Sequence, residues 1–363
     1  MTQLRVPGPT PCPPEVLKAM AWQMVNHRGP EFHQMLTDVT EGLKKVFQTK
    51  NDVLLLTGSG TGGLESAVVN TLSPGDKVLS VSIGVFGDRF GSIAKTFGAD
   101  VTSLKVEWGK AADPDAVKKA IKENPGVKAV FITHNETSTG VTNDLGALSK
   151  VVKGAGKLLV VDAISSMSSI NLPVDKWGCD VVISGSQKGW MVPPGMAMVS
   201  VSEEAWKAQA ASKMPRFYWD YTRAKKYLEE KKENPWTPAI SIVFALTVAL
   251  KMMLQEGIDN IFDRHARVAQ MTRDGVKKLG LPLFAEESHA SNTVTAVSIP
   301  EGLDGKKFRQ VLREEYKVVL AGGQQTLDGK IFRIGHLGMV NEKDIKEILT
   351  AIEKVLPVAG FKK

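Results

Sequence analysis

Short apolar runs alternate with amphipathic stretches between about residues 52 and 201. Seven of the runs are typical of buried strands: "DVLLLT", "KVLSVS", "DVTSLK", "KAVFIT", "KLLVVD", "DVVISG" and "GMAMVSVS". Helical patterns lie between them: "GGLESAVVNTL", "FGDRFGSIAKTFG", "PDAVKKAIKEN" and "DLGALSKVVKGAG". This alternation predicts an α/β fold with a mostly parallel, seven-stranded sheet that helices cover on both faces. Ligands of such sheets bind at the carboxyl ends of the strands, so a site is expected there.

The pattern changes after about residue 202. An aromatic and charged stretch, "YWDYTRAKKYLEEKKENPW", precedes the apolar helical run "AISIVFALTVALKMML". Beyond about residue 262, helical patterns and the strand-like runs "NTVTAVSIP", "YKVVLAGG" and "GKIFRIGHLG" predict a smaller α+β domain. We therefore expect an N-terminal arm at 1–21, a large domain at 22–261 and a small C-terminal domain at 262–363.

Composition narrows the class of protein. The chain has 363 residues, 43% hydrophobic and 23% charged, as in ordinary globular proteins of two domains. The apolar run at 239–254 is shorter than the roughly 20 residues that span a bilayer and contains Lys251, so it predicts a buried helix and no membrane contact. No secretion signal is evident, and a cytoplasmic location is expected. The net charge of +7 comes without a run of five like charges, so nucleic acid is not an expected partner.

Metal sites are not predicted either. The two cysteines, Cys12 and Cys179, are too few for the four ligands of a structural zinc or iron–sulfur site. A disulfide between them is disfavoured in a large chain without an export signal. The remaining candidates share no ligand spacing, namely His27, His33, His134 and His336.

The stretch "VLLLTGSGTGGLES" (53–66) contains a G-x-G-x-x-G pattern between a predicted strand and a predicted helix. A dinucleotide site also needs an acidic residue at the end of the next strand, and "KVLSVSIGVFGD" has none there. A helix N-terminus suits any phosphate, and Ser59 and Thr61 add hydroxyl donors. The loop therefore predicts a phosphate site, the alternative being a glycine-rich connector that binds nothing.

An acid and a lysine follow two further strands. Asp162 ends the run "KLLVVD", and Lys188 follows "DVVISGSQ" among small polar residues and Trp190. An acid at this place is often only a helix N-cap, and a lysine after a strand is usually solvated. Together with a phosphate loop at the same sheet edge, they suggest pyridoxal 5'-phosphate (PLP). A lysine can bind its aldehyde, a carboxylate can keep its ring nitrogen protonated, and Phe86 can stack on its ring unless it is a core residue.

The chain resembles the class V aminotransferases of the PLP fold type I superfamily, and most of all the alanine–glyoxylate and serine–glyoxylate aminotransferases. Motifs along nearly the whole chain carry this resemblance: "VPGPTP", "TGSGTGGLES", "NTLSPGDKVL", "THNETSTGVTND", "VDAISS", "SGSQKGW", "WTPAIS", "SNTVTAV" and "GKIFRIGHLG". The resemblance implies a transaminase that moves the amino group of a small amino acid, such as alanine or serine, to glyoxylate. It also implies a homodimer whose sites lie at the interface.

Residue roles follow from the same resemblance. Lys188 becomes the Schiff-base lysine and Asp162 the partner of the ring nitrogen. The other implied cofactor contacts are Ser59, Gly60, Thr61 and Gln187 at the phosphate, Phe86 on the ring, and Thr137, with Asn135 as a less certain neighbour. Arg333 is expected to bind the substrate carboxylate through two parallel hydrogen bonds, a structural salt bridge being the alternative. Gly8 is expected to approach the substrate through its backbone.

Two positions carry open alternatives. Thr237 in "WTPAIS" either reaches the phosphate of the other subunit, a role that Trp236 could take instead, or caps a helix before Pro238. Arg28 is a second candidate for an anion contact.

Three other functions compete with that of a glyoxylate transaminase. A cysteine desulfurase needs a reactive cysteine in its C-terminal half, and "LAGGQQTLDGK" has none. Another class V transaminase and an accessory, non-catalytic subunit of a hydrogenase remain as alternatives.

Overall fold

The computed structural model describes residues 2–361 as a mixed α/β fold with two main sheets. The strands are β1 Gln3–Arg5, β2 Asp52–Thr57, β3 Lys77–Ser82, β4 Asp100–Lys105, β5 Val127–Thr133, β6 Asn135–Glu136, β7 Val141–Thr142, β8 Leu158–Asp162, β9 Val181–Gly185, β10 Met196–Val201, β11 Val294–Ser298, β12 Val318–Gly322 and β13 Ile331–Gly335. The helices are α1 Pro14–Ala19, α2 Pro30–Phe47, α3 Gly60–Thr71, α4 Val85–Thr96, α5 Pro114–Glu123, α6 Leu145–Gly154, α7 Val174–Trp177, α8 Glu203–Ala211, α9 Tyr221–Lys231, α10 Ile240–Glu256, α11 Ile258–Lys278, α12 Gly305–Glu314 and α13 Glu342–Val358. The outermost predicted domain limits, at residues 1 and 363, lie outside the described residues.

The large sheet has seven strands in the order β2-β10-β9-β8-β5-β3-β4. All neighbours are parallel except β10, which runs antiparallel to both β2 and β9. These are the seven strands that the apolar runs predict, and the expectation of a mostly parallel sheet is confirmed. Helices cover both faces of the sheet. Because β2, β3, β5, β8 and β9 run in the same direction, their carboxyl ends meet at one edge of the sheet.

The strands of this sheet are apolar on both faces because each face has its own core. Within β2, Val53 and Leu55 belong to the core that includes α2 and α10, whereas Leu54 and Leu56 pack into the core under α3. This alternation is the two-residue period of a strand. It explains why the sequence shows continuous apolar runs instead of alternating polar and apolar positions.

The smaller sheet has the order β1-β12-β13-β11. Its first strand comes from the N-terminal segment and pairs in parallel with β12. The predicted arm therefore begins as an edge strand of the C-terminal sheet, and it crosses to the large sheet through 6–13. The domain limits at 21 and 261 stay a prediction.

The apolar run at 239–254 forms α10, which packs against α1 and α2 with its apolar residues largely buried. Within residues 2–361, no single helix has both the length and the apolar character of a membrane span. By those two criteria only the pair α10 and α11 passes, and the two helices meet at a bend of 84°.

Candidate active site

A cavity of about 110 Å³ lies at the carboxyl ends of the large sheet. Eight of the residues singled out in the sequence line it: Ser59, Gly60, Thr61, Phe86, Thr137, Asp162, Gln187 and Lys188. Asn135, the less certain neighbour, lines it as well. The fold thus brings together residues that are up to 129 positions apart in the chain, between Ser59 and Lys188.

Lys188 lies three residues after the end of β9, and its amine is held by the N-terminal segment. Nζ donates a hydrogen bond of 2.5 Å to the carbonyl oxygen of Pro7. Gly8 adopts φ +126°, and a Cβ there would lie 2.6 Å from Nζ, so only glycine lets the backbone pass this close. Burial lowers the pKa of Lys188 to about 8, and the positive charge of Arg333 adds to this shift while Asp162 opposes it. A large share of the amine is therefore neutral and nucleophilic near pH 8.

Asp162 is the last residue of β8 and is 4% exposed. One carboxyl oxygen, Oδ1, accepts the N–H of Ile164 at 3.0 Å. Burial raises the pKa of Asp162 to about 7, and the nearby Glu136 carboxylate raises it further, against the opposing effects of that hydrogen bond and of Lys188. The carboxyl of the unliganded chain therefore shares a proton near neutral pH, and a protonated ring nitrogen beside it would supply the positive charge that favours its ionised form.

The N-terminus of α3 opens into the cavity. Ser59 is its N-cap, and its Oγ accepts the N–H of Gly62 at 3.4 Å. The N–H groups of Gly60 and Thr61, which precede the first intrahelical bond, meet no acceptor within residues 2–361. Oε1 of Gln187, also in the cavity wall, is a buried acceptor without a partner among the described residues and does not add to these donors. This end of the cavity offers free donors to an anion, as the glycine loop predicts.

Phe86 lies in the first turn of α4, directly after the end of β3. It is half-buried at the cavity wall, and the Arg89 guanidinium carbon lies 4.8 Å from the centre of its ring. Phe86 belongs to neither of the two hydrophobic cores that cover the sheet, which fits the stacking interpretation better than the core alternative.

Arg333 lies in β13, between β11 and β12, and is 6% exposed. Its Nε donates to the carbonyl of Gly322, and its Nη1 donates to the carbonyl of Thr137 and to Oε1 of Gln324, at 2.8–3.1 Å. No carboxylate of residues 2–361 forms an ion pair with it, so the alternative of a structural salt bridge is wrong. Burial lowers the pKa of Arg333 to about 10. The structure thus presents a buried cation, fixed by neutral acceptors beside the cavity.

Two predicted positions lie away from the cavity. Thr237 is exposed in the loop before α10, near Trp236 and Tyr218. The alternative that Thr237 caps this helix is wrong, because the N-cap is Ala239 and no side chain caps it. The N–H of Ala239 instead donates to Oγ1 of Thr57.

Arg28, the second candidate for an anion contact, is already paired. Its guanidinium forms a salt bridge with Glu233 and donates to the carbonyls of Asn234 and Pro235. Arg28 therefore tethers the loop that leads to Thr237 and does not line the cavity.

Sequence reasoning missed several residues of the site. Leu64, Arg89, Ile164 and Ser165 also line the cavity, and the fully buried Glu136 lies behind it. The sequence did contain a signal for a buried acid at Glu136. It is the only acid between Glu123 and Asp144, and the other residues of its motif "ETSTG" are uncharged. The place of Arg89 at the cavity depends on the helical turn of α4 that also carries Phe86, three residues earlier, so it could be recognised only in the structure.

These features fit PLP. A lysine amine of lowered pKa, a buried carboxyl that accepts a single hydrogen bond, an aromatic ring, and a helix N-terminus with free N–H groups converge on one cavity. They supply respectively a nucleophile for an aldehyde, a partner for the ring nitrogen, a stacking surface and donors for a phosphate.

Comparison with known proteins gives the same picture. The family model of class V aminotransferases matches residues 4–343. An uncharacterised aminotransferase of Methanocaldococcus jannaschii is 45% identical over 99% of this chain and 93% of its own length. A protein of Synechococcus sp. named as the small subunit of a soluble hydrogenase is 44% identical, over 99% and 94%. The serine–glyoxylate aminotransferase of Methylorubrum extorquens is 37% identical, over 99% and 92%.

Solved structures agree over the same length. The ureidoglycine–glyoxylate aminotransferase of Bacillus subtilis superposes with a TM-score of 0.95 at 32% identity, covering 99% of this chain and 94% of its own. The alanine–glyoxylate aminotransferase of Nostoc sp. gives 0.94 at 31%, covering 98% and 95%. The chain therefore belongs to the class V aminotransferases and is a PLP-dependent transaminase of fold type I.

Proposed function

We propose that this transaminase moves the amino group of a small amino acid, such as alanine or serine, to glyoxylate, giving glycine and a 2-oxo acid. The observation that carries the proposal is a pair of basic groups. The Lys188 amine lines the cavity, and the Arg333 guanidinium lies beside it and donates to the carbonyl of the cavity residue Thr137. Relatives named for glyoxylate, in Methylorubrum extorquens, Bacillus subtilis and Nostoc sp., support the choice of acceptor.

The roles of the two central residues follow from their protonation. PLP, when bound, supplies an electron-accepting ring that stabilises negative charge on the substrate Cα. Nζ of Lys188 would hold the cofactor through its aldehyde and, as an amine of lowered pKa, could act as the base that takes the proton from the substrate Cα. As a carboxylate, Asp162 would keep the ring nitrogen protonated, and the positive charge of that nitrogen would offset the burial that raises the pKa of the carboxyl. A positioned base of this kind typically contributes about 10²–10⁴-fold to the rate.

Substrate binding is assigned to Arg333 and the segment around Gly8. A guanidinium can form two parallel bonds with a carboxylate, and each charged hydrogen bond contributes about 1.5–3 kcal/mol. Neutral acceptors hold the group in place through Nε and Nη1, which leaves Nη2 as the free donor, so two parallel bonds to a substrate would require one of these acceptors to be displaced. The Gly8 backbone, which packs on Lys188, limits the space beside the amine and so favours small donors.

The partner and the location remain parts of the proposal. We propose that the interface of a homodimer lies at the exposed aromatic surface near Thr237, where Phe217 is 67% and Tyr218 is 44% exposed. In this arrangement Thr237, or its neighbour Trp236, reaches the phosphate end of the partner's cavity. A cytoplasmic location is proposed together with the homodimer.

The desulfurase alternative is weakened further by the environment of both cysteines. Cys179 is buried in the core, which raises the pKa of its thiol to about 12, and Cys12 is half-buried with a raised pKa. Neither thiol favours the reactive thiolate. The accessory-subunit alternative draws on the name of the Synechococcus relative, and it predicts a chain that does not turn over amino acids.

A panel of donors and acceptors tests the proposal. Alanine, serine and aspartate are offered with glyoxylate or pyruvate, and product is measured for the PLP-loaded chain and for the Lys188→Ala variant. We expect glycine from glyoxylate with at least one small donor, and no product from the variant. Turnover only with pyruvate would favour another class V transaminase, and a loaded chain inert to all pairs would favour the accessory role.

A further inference from the structure

The N-terminus of α4 is held by side chains from the hairpin β6–β7, not by a cap of its own. Its N-cap is Gly84, which has no side chain to offer. Instead, Oγ of Ser138 accepts the N–H of Val85 at 3.0 Å. Oε2 of Glu136 accepts the next two N–H groups, of Phe86 at 3.0 Å and of Gly87 at 3.1 Å. All three free donors of the first turn are therefore satisfied from another element.

Glu136 is fully buried and has no hydrogen-bonding capacity left over. Its other oxygen, Oε1, accepts the N–H of Ser138 at 3.0 Å and the hydroxyl of Ser138 at 2.6 Å. Each carboxyl oxygen thus accepts two bonds, and every partner is a donor. Three of the four partners are backbone N–H groups, which cannot accept a proton, so the arrangement suits an ionised carboxylate. Burial raises the pKa of Glu136 above its ordinary value, and the four donated bonds offset part of this rise.

The surrounding backbone is shaped to admit this carboxylate. A Cβ at Gly84 would lie 2.6 Å from Cγ of Glu136 and 2.5 Å from Oγ of Ser138. Glu136 also adjoins Thr137, whose carbonyl accepts from Arg333, and the positive charge of Arg333 is within electrostatic reach. One buried carboxylate therefore ties the helix that carries Phe86 to the hairpin that carries Thr137.

We propose that Glu136 is a positioning residue of the active site, which fixes the Phe86 ring over the cofactor by binding the first turn of α4. The proposal rests on the stacking role of Phe86 in the proposed function. Glu136 does not line the cavity, so it acts through Phe86 and not by touching cofactor or substrate. Because its two N–H partners belong to Phe86 itself and to Gly87, a shift of the anchor moves the ring directly.

Replacement of the carboxylate by an amide tests the anchor. Glu136→Gln keeps one acceptor oxygen but turns an NH₂ group either toward the N–H groups of Phe86 and Gly87 or toward the N–H of Ser138, so at least one donated bond is lost. The control is Asp88→Asn in the same first turn, whose Oδ1 can still accept the hydroxyl of Ser82. We expect faster amide hydrogen exchange in the peptide with Phe86 and Gly87 for Glu136→Gln only. This readout needs no cofactor, so it remains valid if the proposed function is wrong.

A double-mutant cycle tests the link to Phe86. Since a hydrogen bond to a charged group contributes about 1.5–3 kcal/mol and about 1.4 kcal/mol is tenfold, we expect Glu136→Gln to weaken PLP binding about tenfold or more. Phe86→Leu should weaken it too, and the double variant should bind little worse than Phe86→Leu alone. The circular dichroism band of bound PLP should change in Glu136→Gln and stay unchanged in Asp88→Asn.

The outcomes separate cleanly. Additive losses in the cycle, or exchange and affinity of Glu136→Gln equal to those of Asp88→Asn, overturn the proposal. If Glu136→Gln does not fold, Ser138→Ala removes one donor to the carboxylate and one cap of α4, and about 2–10-fold weaker PLP binding is expected. Unchanged binding in that variant overturns the proposal as well. Wild-type protein that binds no PLP contradicts the proposed function, and the hydrogen exchange comparison then decides on the anchor alone.

Discussion

Two helices begin at the same edge of the large sheet, and they differ in whether the chain supplies acceptors for their first N–H groups. Helix α3 starts at Gly60, three residues after the end of β2, and α4 starts at Val85, three residues after the end of β3. The first N–H groups of α3 meet no acceptor in the described chain, whereas those of α4 bond to Glu136 and Ser138. Both ends carry the partial positive charge of a helix N-terminus.

The difference shows what makes a helix N-terminus a binding site. Both helices follow a strand through a short loop with glycine, so their sequences have similar signals. At α4 the chain supplies its own anion, and the neighbouring residue, Phe86, is free to form the wall of the cavity. At α3 no carboxylate is supplied, and Ser59 and Thr61 add only hydroxyls. We infer that the open end receives the phosphate and the occupied end serves as a fixed support.

The largest effect is expected from giving α3 an anion of its own. Ser59→Asp places a carboxylate where Glu136 lies at α4, so it should repel the phosphate of PLP. Two charges about 4 Å apart interact with about 4 kcal/mol at an effective dielectric constant of 20, which corresponds to a loss of affinity on the order of 10³-fold. Titration of the unliganded chain with PLP measures it.

The neutral variant Ser59→Asn is the control for size and capping, and it should bind PLP within about tenfold of the wild type. The unfolding temperature of unliganded Ser59→Asp should be equal or higher, because aspartate at an N-cap favours the helix by about 0.3–1 kcal/mol. Equal PLP affinity for the Asp and Asn variants would show that the phosphate does not bind at α3.

The next effect concerns the second buried carboxyl. Asp162 accepts one hydrogen bond where Glu136 accepts four, and its pKa is raised to about 7 from an ordinary 3.8. The folded chain then binds an extra proton between about pH 4 and 7, so its stability falls as the pH rises through this window. Asp162→Asn lacks this titration. The unliganded variant should gain stability over wild type between pH 4 and 7, by a few kcal/mol at most, since one pKa unit is about 1.36 kcal/mol.

Thermal unfolding of both unliganded chains from pH 4 to 7 measures this gain, below the pKa of Lys188 at about 8. The same variant should lose transamination, because it cannot hold the ring nitrogen protonated. A difference in unfolding temperature that does not vary with pH would mean that Asp162 is ionised throughout.

The smallest effect is expected from adding a methyl group at the N-terminus of α4, where Glu136 binds. Gly84→Ala would place a methyl group 2.6 Å from Cγ of Glu136, and overpacking of this kind costs about 1–3 kcal/mol. Gly154 lies at the end of α6 with no heavy atom within 4 Å of an added Cβ, so Gly154→Ala should be neutral or stabilising by up to about 1 kcal/mol. Chemical denaturation compares the two. Equal stabilities would mean that the contact between Gly84 and Glu136 is loose.

Much of the fold could be predicted because strand burial and strand order leave local signals. The seven apolar runs are the seven strands, and the placement of Asp162 and Lys188 after two of them predicted that they meet. The phosphate loop could be predicted in the same way, since glycine and hydroxyl residues before a helix have a local meaning.

What the sequence did not predict depends on contacts between distant segments. The pairing of β1 with β12, the bond of Pro7 to Lys188 and the salt bridge of Arg28 with Glu233 join residues more than 180 positions apart. Glu136 was missed for the same reason, because its partners Phe86 and Gly87 lie about 50 positions earlier. A hydrophobic pattern carries no information about which buried acid satisfies which helix.

The most direct test of the account is chemical identification of the lysine that binds the cofactor. The PLP-loaded chain is treated with borohydride, which fixes the lysine–cofactor bond, and the digested protein is mapped by mass spectrometry. The account predicts that the reduced cofactor is carried by the peptide with Lys188, and that Lys188→Ala carries none. A label on another lysine, or an unlabelled chain after loading, would contradict it.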